Sequence, residues 1–145
     1  MVSKFKSLMQ VQSFSNVQAM ALVFMRLIFG IAFILHGWGK IQNPFGWMPA
    51  EAGIPAVFQF LAALSEFGGG IALILGLLTR LAAVGMAFAM LGATLLHAVV
   101  KGDPFVNLTG GGSYEPALGY LGLSILFIFF GPGKYSLDKM IFGSK

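Results

Sequence analysis

The sequence contains no cysteine, and this absence excludes several kinds of chemistry at once. Without thiols the chain forms neither disulfides nor thiolate metal sites, and it has no redox-active dithiol of its own. Charged residues are also scarce, at 10% of the chain, whereas soluble domains contain about 25%. We therefore expect neither an ordinary soluble domain nor a thiol-dependent redox protein.

A basic patch of the kind that binds nucleic acid is missing as well. The formal net charge is +4, but the nine lysine and arginine residues do not interleave with aromatic side chains in a patch or stripe. They stand mostly at the ends of long apolar segments, where membrane topology places them. The sequence thus predicts the lipid bilayer as a partner and no nucleic acid.

Long apolar segments dominate what is present, because 57% of the residues are hydrophobic. A bilayer span needs about 20 mostly apolar residues, and four such segments occur. They predict an all-α membrane protein, a four-transmembrane-helix up-down-up-down bundle with both termini cytoplasmic. The predicted spans lie at about 18–38, 54–79, 81–100 and 114–130, within a membrane domain 18–133 flanked by tails 1–17 and 134–145.

The first apolar run follows Lys4 and Lys6 and superficially imitates a signal peptide. The run from Val17 to Trp38 is too long for an ordinary signal h-region and has no convincing small-residue cleavage site. We expect it to be a retained span of a multi-pass protein in a bacterial cytoplasmic membrane.

Basic residues are distributed unevenly over the two sides of the predicted bundle. The positive-inside rule assigns the side that is richer in lysine and arginine to the cytoplasm. That side carries both termini and the Arg80 turn. The basic residues are Lys4, Lys6, Arg80, Lys134, Lys139 and Lys145 on this side, against Lys40 and Lys101 on the other.

Two charged residues lie well inside the predicted spans, away from the span ends. Glu66 lies near the middle of the second span, just before Gly68, Gly69 and Gly70, and an ionisable group at that depth normally faces a partner or a wet cavity. Arg26 of the first span is its predicted counter-ion, in a structural ion pair. The alternative is that Arg26 extends its side chain to the cytoplasmic headgroups.

A second group of polar residues is expected at the outer ends of the spans. His36 comes four residues before Lys40, and His97 four residues before a lysine, so both imidazoles lie at similar depth. Helical side chains lean toward their own N-terminus, which points both histidines inward and Glu66 toward them. Tyr114 and Glu115 enter the fourth span at the same edge, which completes a predicted outer-leaflet pocket.

This cluster admits several interpretations. It fits a hydrogen-bond network that fixes helix packing, or a binding site for a quinone or another amphipathic small molecule. A proton or ion pathway is a further interpretation. A metal site or bis-histidine haem ligation has weak support, because no ligand-spaced motif such as HExxH is present.

Three separated runs resemble one family. They are RLIFGIAFILHGWGKI, SEFGGGIALILGLLTRLAA and SYEPALGYLG with the later GPGKYSLD, and together they are similar to DoxX proteins. The resemblance implies a four-helix bacterial membrane protein, a candidate oxidoreductase or a relative of a quinone-reducing subunit of thiosulfate dehydrogenase. The matching positions are Arg26, His36, Lys40, Glu66, Arg80, His97, Tyr114 and Glu115.

The preferred hypothesis is a small subunit of a quinone-linked redox system. Glu66 and His97 are then the candidate catalytic residues that handle protons, while His36, Lys40, Tyr114 and Glu115 bind the ligand. No electron-donor centre is visible in the sequence, so an enzyme would need a partner subunit or a bound cofactor. The alternative is a non-catalytic accessory subunit that packs within a larger membrane complex.

Overall fold

The computed structural model describes residues 2–144, which fold into six α-helices. Within this range no β-strand forms; the one β-contact is an isolated parallel bridge between Val11 and Ser144. The helices are α1 (Val2–Met9), α2 (Asn16–Gln42), α3 (Ala56–Leu75), α4 (Thr79–Leu95), α5 (Glu115–Phe130) and α6 (Leu137–Phe142). We call the end of the bundle with α1, α6 and the turn between α3 and α4 the inner end, and the opposite end the outer end.

Three of these helices are long and apolar enough to cross a membrane. They are α2 with 27 residues, α3 with 20, and α4 with a π-helical extension that brings it to 22. α5 is also apolar but has 16 residues, which gives about 24 Å of helix against a hydrocarbon core of about 30 Å. The predicted all-helical membrane class is confirmed, with three helices of spanning length and a shorter fourth.

α2 begins where the sequence can satisfy its first backbone amides. Ser15 Oγ accepts a hydrogen bond from the Gln18 amide at 3.3 Å, and Gln18 Oε1 accepts one from the Ser15 amide at 3.0 Å. This is a capping box, and it starts the helix at Asn16. The buried residues of α2 lie on the face that is turned toward the bundle, and they are Ala19, Arg26, Gly30, Phe33 and Gly37.

Glycines bring α2 and α3 into backbone contact and set their register. A methyl group on Gly30 would lie 2.8 Å from the carbonyl oxygen of Gly70, and one on Gly37 would lie 2.5 Å from the backbone nitrogen of Phe67. Both distances are far below van der Waals contact, so neither glycine accepts a side chain without movement of the helices. The two antiparallel helices therefore have Gly30 level with Gly70, and Gly37 level with Phe67.

The tight turn between α3 and α4 is held by a buried carboxylate. Asp138 accepts hydrogen bonds from the amides of Leu78 at 2.6 Å and Thr79 at 2.9 Å, and its own amide donates to the carbonyl of Gly76 at 2.8 Å. Two amides that the start of α4 would leave unpaired are thereby satisfied. Leu78 adopts φ +48°, a left-handed conformation that is uncommon outside glycine, and these contacts hold it there.

The two short terminal helices close the inner end together. Ser136 Oγ accepts a hydrogen bond from the amide of Lys139 at 3.2 Å and so caps the N-terminus of α6. α1 packs beside α6, and the rings of Phe5 and Phe142 meet edge to face with centroids 6.1 Å apart. Residues 2–9 and 137–142 are therefore attached to the bundle.

The core lies between α2, α3, α4 and α5. Each of these helices contributes a nearly inaccessible side chain: Phe33, Leu73, Met86 and Phe127. α2 packs along α3, α3 along α4, and α4 along α5. Tyr120 of α5 packs against Phe33 of α2, with ring centroids 5.1 Å apart, and this contact joins the last of the four helices to the first.

α4 changes its winding at the outer end. It continues into a π-helical turn, Leu96–Val100, in which the amide of Lys101 donates to the carbonyl of Leu96 at 2.9 Å. π-helical turns are rare and frequently occur at functional sites. His97 lies on this turn, so its orientation depends on a local geometry that an ordinary α-helix does not have.

Candidate functional site

Glu66 forms an ion pair with Lys40. The Lys40 ammonium lies 2.5 Å from Glu66 Oε1 and 2.6 Å from Oε2, so both carboxylate oxygens accept from it. The Glu66 side chain is 3% exposed and that of Lys40 is 26% exposed. The carboxylate is therefore almost fully removed from the surface, while its partner still reaches it.

The register of α2 and α3 explains this pairing. Gly37 is level with Phe67, so Lys40 stands about 3 Å, or half a turn, further toward the outer end than Glu66. Because the helices are antiparallel, the Lys40 side chain leans inward and the Glu66 side chain leans outward. The two charged groups therefore approach each other.

Arg26 does not contact Glu66, which corrects the predicted structural ion pair. Its guanidinium donates at 2.7–3.0 Å to four backbone carbonyl groups at the inner end. The side chains of Arg26 and Lys40 both lean toward the inner end of α2, which brings Lys40 toward Glu66 and carries Arg26 away from it. The four acceptors are the carbonyls of Leu73, Ile74, Pro132 and Tyr135.

A cavity of about 830 Å³ lies between α3 and α4 and ends at the Lys40–Glu66 pair. Its walls are mostly apolar, and the flanking side chains of Phe58, Leu61 and Phe88 are exposed. Pockets of about 300–1,000 Å³ with apolar walls and a few polar groups are typical of small-molecule sites. We call this space the larger cavity.

The outer wall of the larger cavity is built by Trp47 and Gln59. Trp47 Nε1 donates to the Gln59 carbonyl at 2.9 Å, and the Gln59 side chain accepts from the Met48 amide at 3.0 Å. The Lys40 ammonium lies 4.6 Å from the Trp47 ring centroid, within cation–π range. Gln59 had no signal in the sequence beyond being a polar residue in an apolar segment.

His97 is held by Asp103, a residue that the sequence did not single out. His97 Nδ1 lies 2.6 Å from Asp103 Oδ2, and the Asp103 amide donates to the His97 carbonyl at 2.9 Å. The spacing of six residues across a turn was the available signal. A carboxylate on Nδ1 fixes the ring orientation and directs Nε2 away from Asp103.

A second space, the smaller cavity, has a volume of about 360 Å³ and lies on the α2 and α5 side of the same ion pair. His36 lines it and meets Tyr120 edge to face, with ring centroids 5.9 Å apart. Lys40, Glu66 and His97 line both cavities. The structure thus brings together four of the residues that were predicted from the sequence.

Tyr114 and Glu115 lie apart from this group. Among the residues described, neither lines either cavity. The Tyr114 ring packs against Phe105 with centroids 5.4 Å apart, and the Glu115 amide donates to the Phe105 carbonyl at 3.1 Å. Their backbone and ring contacts anchor the start of α5 on the preceding loop.

The arrangement provides an ammonium, a carboxylate and an imidazole next to apolar space. Such groups can donate and accept hydrogen bonds at a polar headgroup and can exchange protons. Within residues 2–144, no three histidine, aspartate or glutamate side chains come close enough to hold a metal ion. The ammonium, carboxylate and imidazole groups offer acid–base chemistry and hydrogen bonding.

Comparison with known proteins gives consistent results. The chain is 36% identical over 119 residues to the inner membrane protein YqjF of Escherichia coli, covering 80% of this chain and 88% of that protein. It is 34% identical over 133 residues to an uncharacterized membrane protein of Mycobacterium tuberculosis, covering 83% and 81%. It is 30% identical over 123 residues to "Putative oxidoreductase CatD" of Bacillus subtilis, covering 83% and 87%.

No solved structure matches the chain. The profile of the DoxX family matches residues 21–99, a range that includes Arg26, His36, Lys40, Glu66 and His97. This range covers more than half of the sequence. The relatives match over most of their length as well. The chain is therefore an integral membrane protein and belongs to the DoxX family.

Proposed function

We propose that the chain crosses a bacterial inner membrane four times, with α5 as the fourth span and both termini in the cytoplasm. α5 supports this proposal because it packs along α4 and exposes apolar side chains such as Ile125 and Phe129. The basic residues Arg80, Lys134 and Lys139 lie at the inner end, as the positive-inside rule requires of a cytoplasmic face.

A pair of fusions tests this topology. A reporter that is active only in the cytoplasm is expected to work when it is fused after Lys145 and to fail when it is inserted at Gly110. The opposite pattern would place both termini outside. Activity at both positions would show that α5 does not cross the membrane.

We further propose that the larger cavity binds the headgroup of a quinone. The observation that carries this proposal is an ion pair with a buried carboxylate at the polar end of a mostly apolar cavity of about 830 Å³. A quinone has a ring with two carbonyl oxygens attached to an apolar tail. The apolar walls of α3 and α4 suit the ring and tail, and the polar end suits the oxygens.

The residues of the polar end have complementary roles. The Lys40 ammonium donates a hydrogen bond to one ring oxygen. The imidazole of His97 accepts from a quinol hydroxyl or, when protonated, donates to a quinone carbonyl. Glu66 holds or releases a proton beside them. A quinone supplies two-electron redox chemistry when it is bound, and the oxidoreductase name of the Bacillus subtilis relative agrees with that chemistry.

The walls of the larger cavity are suited to a ligand that enters from the bilayer. Phe58, Leu61 and Phe88 flank it and are 60%, 49% and 72% exposed. In a membrane these side chains contact lipid tails. A ligand with a long apolar tail therefore reaches the ion pair sideways, between α3 and α4, without crossing water.

Tryptophan fluorescence offers a direct binding assay. The chain has two tryptophans, of which Trp47 lines the larger cavity and Trp38 packs against Phe67 outside it. A quinone in contact with an indole ring quenches its fluorescence. In a Trp38→Phe background, a short-chain ubiquinone is expected to quench Trp47 in a saturable manner. In a Trp47→Phe background, quenching of Trp38 is expected to stay weak and unsaturated.

Two glycine substitutions provide a matched pair for this assay. Gly92 lines the larger cavity and Gly119 lies outside both cavities, and an added Cβ at either meets no atom within 4 Å. Gly92→Leu is expected to fill the cavity and weaken quinone binding at least tenfold, whereas Gly119→Leu leaves it unchanged. His97→Ala is expected to weaken binding as well, and Met90→Leu, which nearly conserves volume, is not.

The results separate quinone binding from the alternative of an accessory subunit. Saturable quenching that Gly92→Leu abolishes supports a quinone site. Purified protein that carries no quinone and shows no saturable quenching contradicts it and favours a non-catalytic subunit of a larger complex. In that case His97→Ala should change the stability of the protein, and neither the parent protein nor the variant should bind quinone.

A further inference from the structure

The Lys40–Glu66 pair separates two cavities of different character. The larger cavity is bounded by α3 and α4 and flanked by exposed phenylalanines. The smaller cavity, of about 360 Å³, lies between α2, α4 and the start of α5. Lys40, Glu66 and His97 line both. A ligand in the larger cavity therefore meets polar groups whose other side faces the smaller one.

The smaller cavity reaches the surface at the outer end. Its rim includes Gly111 and Gly112 of the loop before α5, both of which are exposed, and His36, which is also exposed. No bulky side chain stands on the glycine segment of this rim. On its inner side the cavity is bounded by the contact of Tyr120 with Phe33.

The polar groups of the smaller cavity are placed to hold water. Water in a protein cavity needs two to four polar partners, and each molecule takes about 30 Å³. About 360 Å³ thus accommodates roughly a dozen molecules. Hydrogen-bonding groups occur along the whole path: Ser113 and His36 near the rim, His97 on the wall, and Glu66 and Lys40 at the end.

We propose that the smaller cavity is a water-filled vestibule that connects the outer aqueous phase with Glu66 and His97. Protons then enter from water on one side of the ion pair, while an amphipathic ligand approaches from the bilayer on the other. The water path is independent of the ligand. Its use as the proton supply of a bound quinone rests on the proposed function.

Proton transfer along this path changes the ion pair in a defined way. A hydronium ion in the vestibule gives a proton to the Glu66 carboxylate, which leaves a neutral carboxylic acid and a water molecule. The Lys40 ammonium then loses its counter-charge and is free to donate to a ligand. The titratable groups that face this region are Lys40, His36, His97, Tyr120 and, through His97, Asp103.

Asp103 acts here as a positioning residue. Its carboxylate lies 2.6 Å from His97 Nδ1. The loop has room for the carboxylate in this position because Gly112 has no side chain: a Cβ there would lie 2.6 Å from Asp103 Oδ2. Gly112 thus leaves the space that the carboxylate occupies. With Nδ1 engaged by Asp103, the remaining nitrogen of His97 is the one that exchanges protons.

The absence of cysteine makes the vestibule testable by thiol labelling. Ala117→Cys places a thiol in the smaller cavity and Ala62→Cys places one in the larger cavity, and both alanines are half-buried. A charged, membrane-impermeant methanethiosulfonate reacts with thiolates in water. It is expected to modify position 117 at least tenfold faster than position 62. Equal rates, or a rate at 117 as low as that of the fully buried Ala63→Cys, would overturn the proposal.

A second labelling experiment follows the path to its end. Glu66→Cys reports whether the reagent reaches the ion-pair position. Its modification is expected to fall at least tenfold when Ala117→Phe fills the vestibule and to persist when Gly92→Leu fills the larger cavity. The reverse dependence would show that the reagent enters between α3 and α4, which would contradict the vestibule.

Neither outcome depends on quinone binding. If fluorescence shows no quinone site and position 117 still reacts quickly, the proposed function fails while the vestibule stands. If quinone binds and position 117 is inert, the ligand site stands and the vestibule is wrong. Ala117→Cys decides the matter even if Glu66→Cys does not fold.

Discussion

Double-mutant cycles can identify the cation that neutralises Glu66. Lys40 Nζ lies 2.5 Å from the Glu66 carboxylate, whereas Arg26 donates to backbone carbonyls at the inner end. We expect Lys40→Met and Glu66→Gln to be strongly coupled. Arg26→Met and Glu66→Gln, which act on groups without a shared partner, are expected to be additive.

The size of the coupling follows from burial. Breaking a fully buried ion pair by removing one partner destabilises a protein by about 3–5 kcal/mol, because the other charge is left without compensation. Glu66 is 3% exposed, but the Lys40 side chain is 26% exposed, so the pair is only partly buried. We therefore expect each single change to cost about 2 kcal/mol and the coupling to be about 1–2 kcal/mol. The Arg26 cycle should close within about 0.5 kcal/mol.

The measurement is the free energy of unfolding in one detergent, by denaturant titration followed with far-ultraviolet circular dichroism. The m-values must agree across the variants, because a changed slope would signal a different unfolding reaction. Lys101→Met is the matched control for Lys40→Met. Lys101 also stands at the outer end and lines the larger cavity, but it is exposed and has no ion-pair contact with Glu66 in the part of the chain described.

Two results would refute this reasoning. Coupling of Arg26 with Glu66 above about 1 kcal/mol would restore the ion pair that the sequence suggested. Coupling of Lys101 equal to that of Lys40 would show that any nearby positive charge suffices. In that case the short contact between Lys40 and Glu66 would have no special energetic role.

Three further predictions concern the framework, and each is checked by unfolding free energies in the same detergent. Arg26→Met should cost about 4 kcal/mol, because four carbonyls lose donors worth about 1 kcal/mol each; Arg80→Met, whose contacts are more exposed, should cost less than half of that. Gly37→Ala should destabilise, because its methyl group would lie 2.5 Å from the α3 backbone, whereas Gly39→Ala points into open space and should gain about 0.5–1 kcal/mol. Asp138→Asn should cost about 1–2 kcal/mol and speed amide exchange at the start of α4. Equal losses of stability for Arg26→Met and Arg80→Met would contradict these assignments, and so would equal losses for Gly37→Ala and Gly39→Ala. Unchanged amide exchange at the start of α4 in Asp138→Asn would contradict the role of Asp138.

Several features of the fold were accessible from the sequence. The apolar segments predicted helices and a membrane, since a helix satisfies its backbone groups within one continuous apolar segment of about 20 residues. Arg26, Gly30, Phe33 and Gly37 recur at spacings of three and four residues, which places them on one helical face, and this face of α2 is buried. Ser136 stands just before a short helical pattern, a position typical of an N-cap. All of these signals are local to one helix.

The candidate site was accessible in part. His36, Lys40, Glu66 and His97 were named from the sequence, and the structure places them around two adjacent cavities. Their function as a site stays a prediction. Asp103 was missed because its contact with His97 depends on a π-helical turn. A turn of this kind has no clear sequence signal.

Residues that join distant segments had no local signal either. Asp138 caps the start of α4 from 59 residues away, and Gln59 supports Trp47 across the loop between α2 and α3. Tyr114 and Glu115, in contrast, were named from the sequence as ligand-binding residues, but neither lines either cavity. They stand at the correct end of the bundle, but the loop that precedes α5 holds them away from both cavities.

The sequence by itself determined the membrane class, the family and which charged residues lie among the helices. The tertiary structure decided which of these charges meet. Side-chain lean carries Arg26 toward the inner end and Lys40 toward Glu66, but the level at which they arrive depends on the register of α2 against α3. That register is set where Gly30 meets Gly70 and Gly37 meets Phe67, at distances that exclude a side chain. Close contact between two backbones is a property of a pair of helices, so neither helix shows it alone.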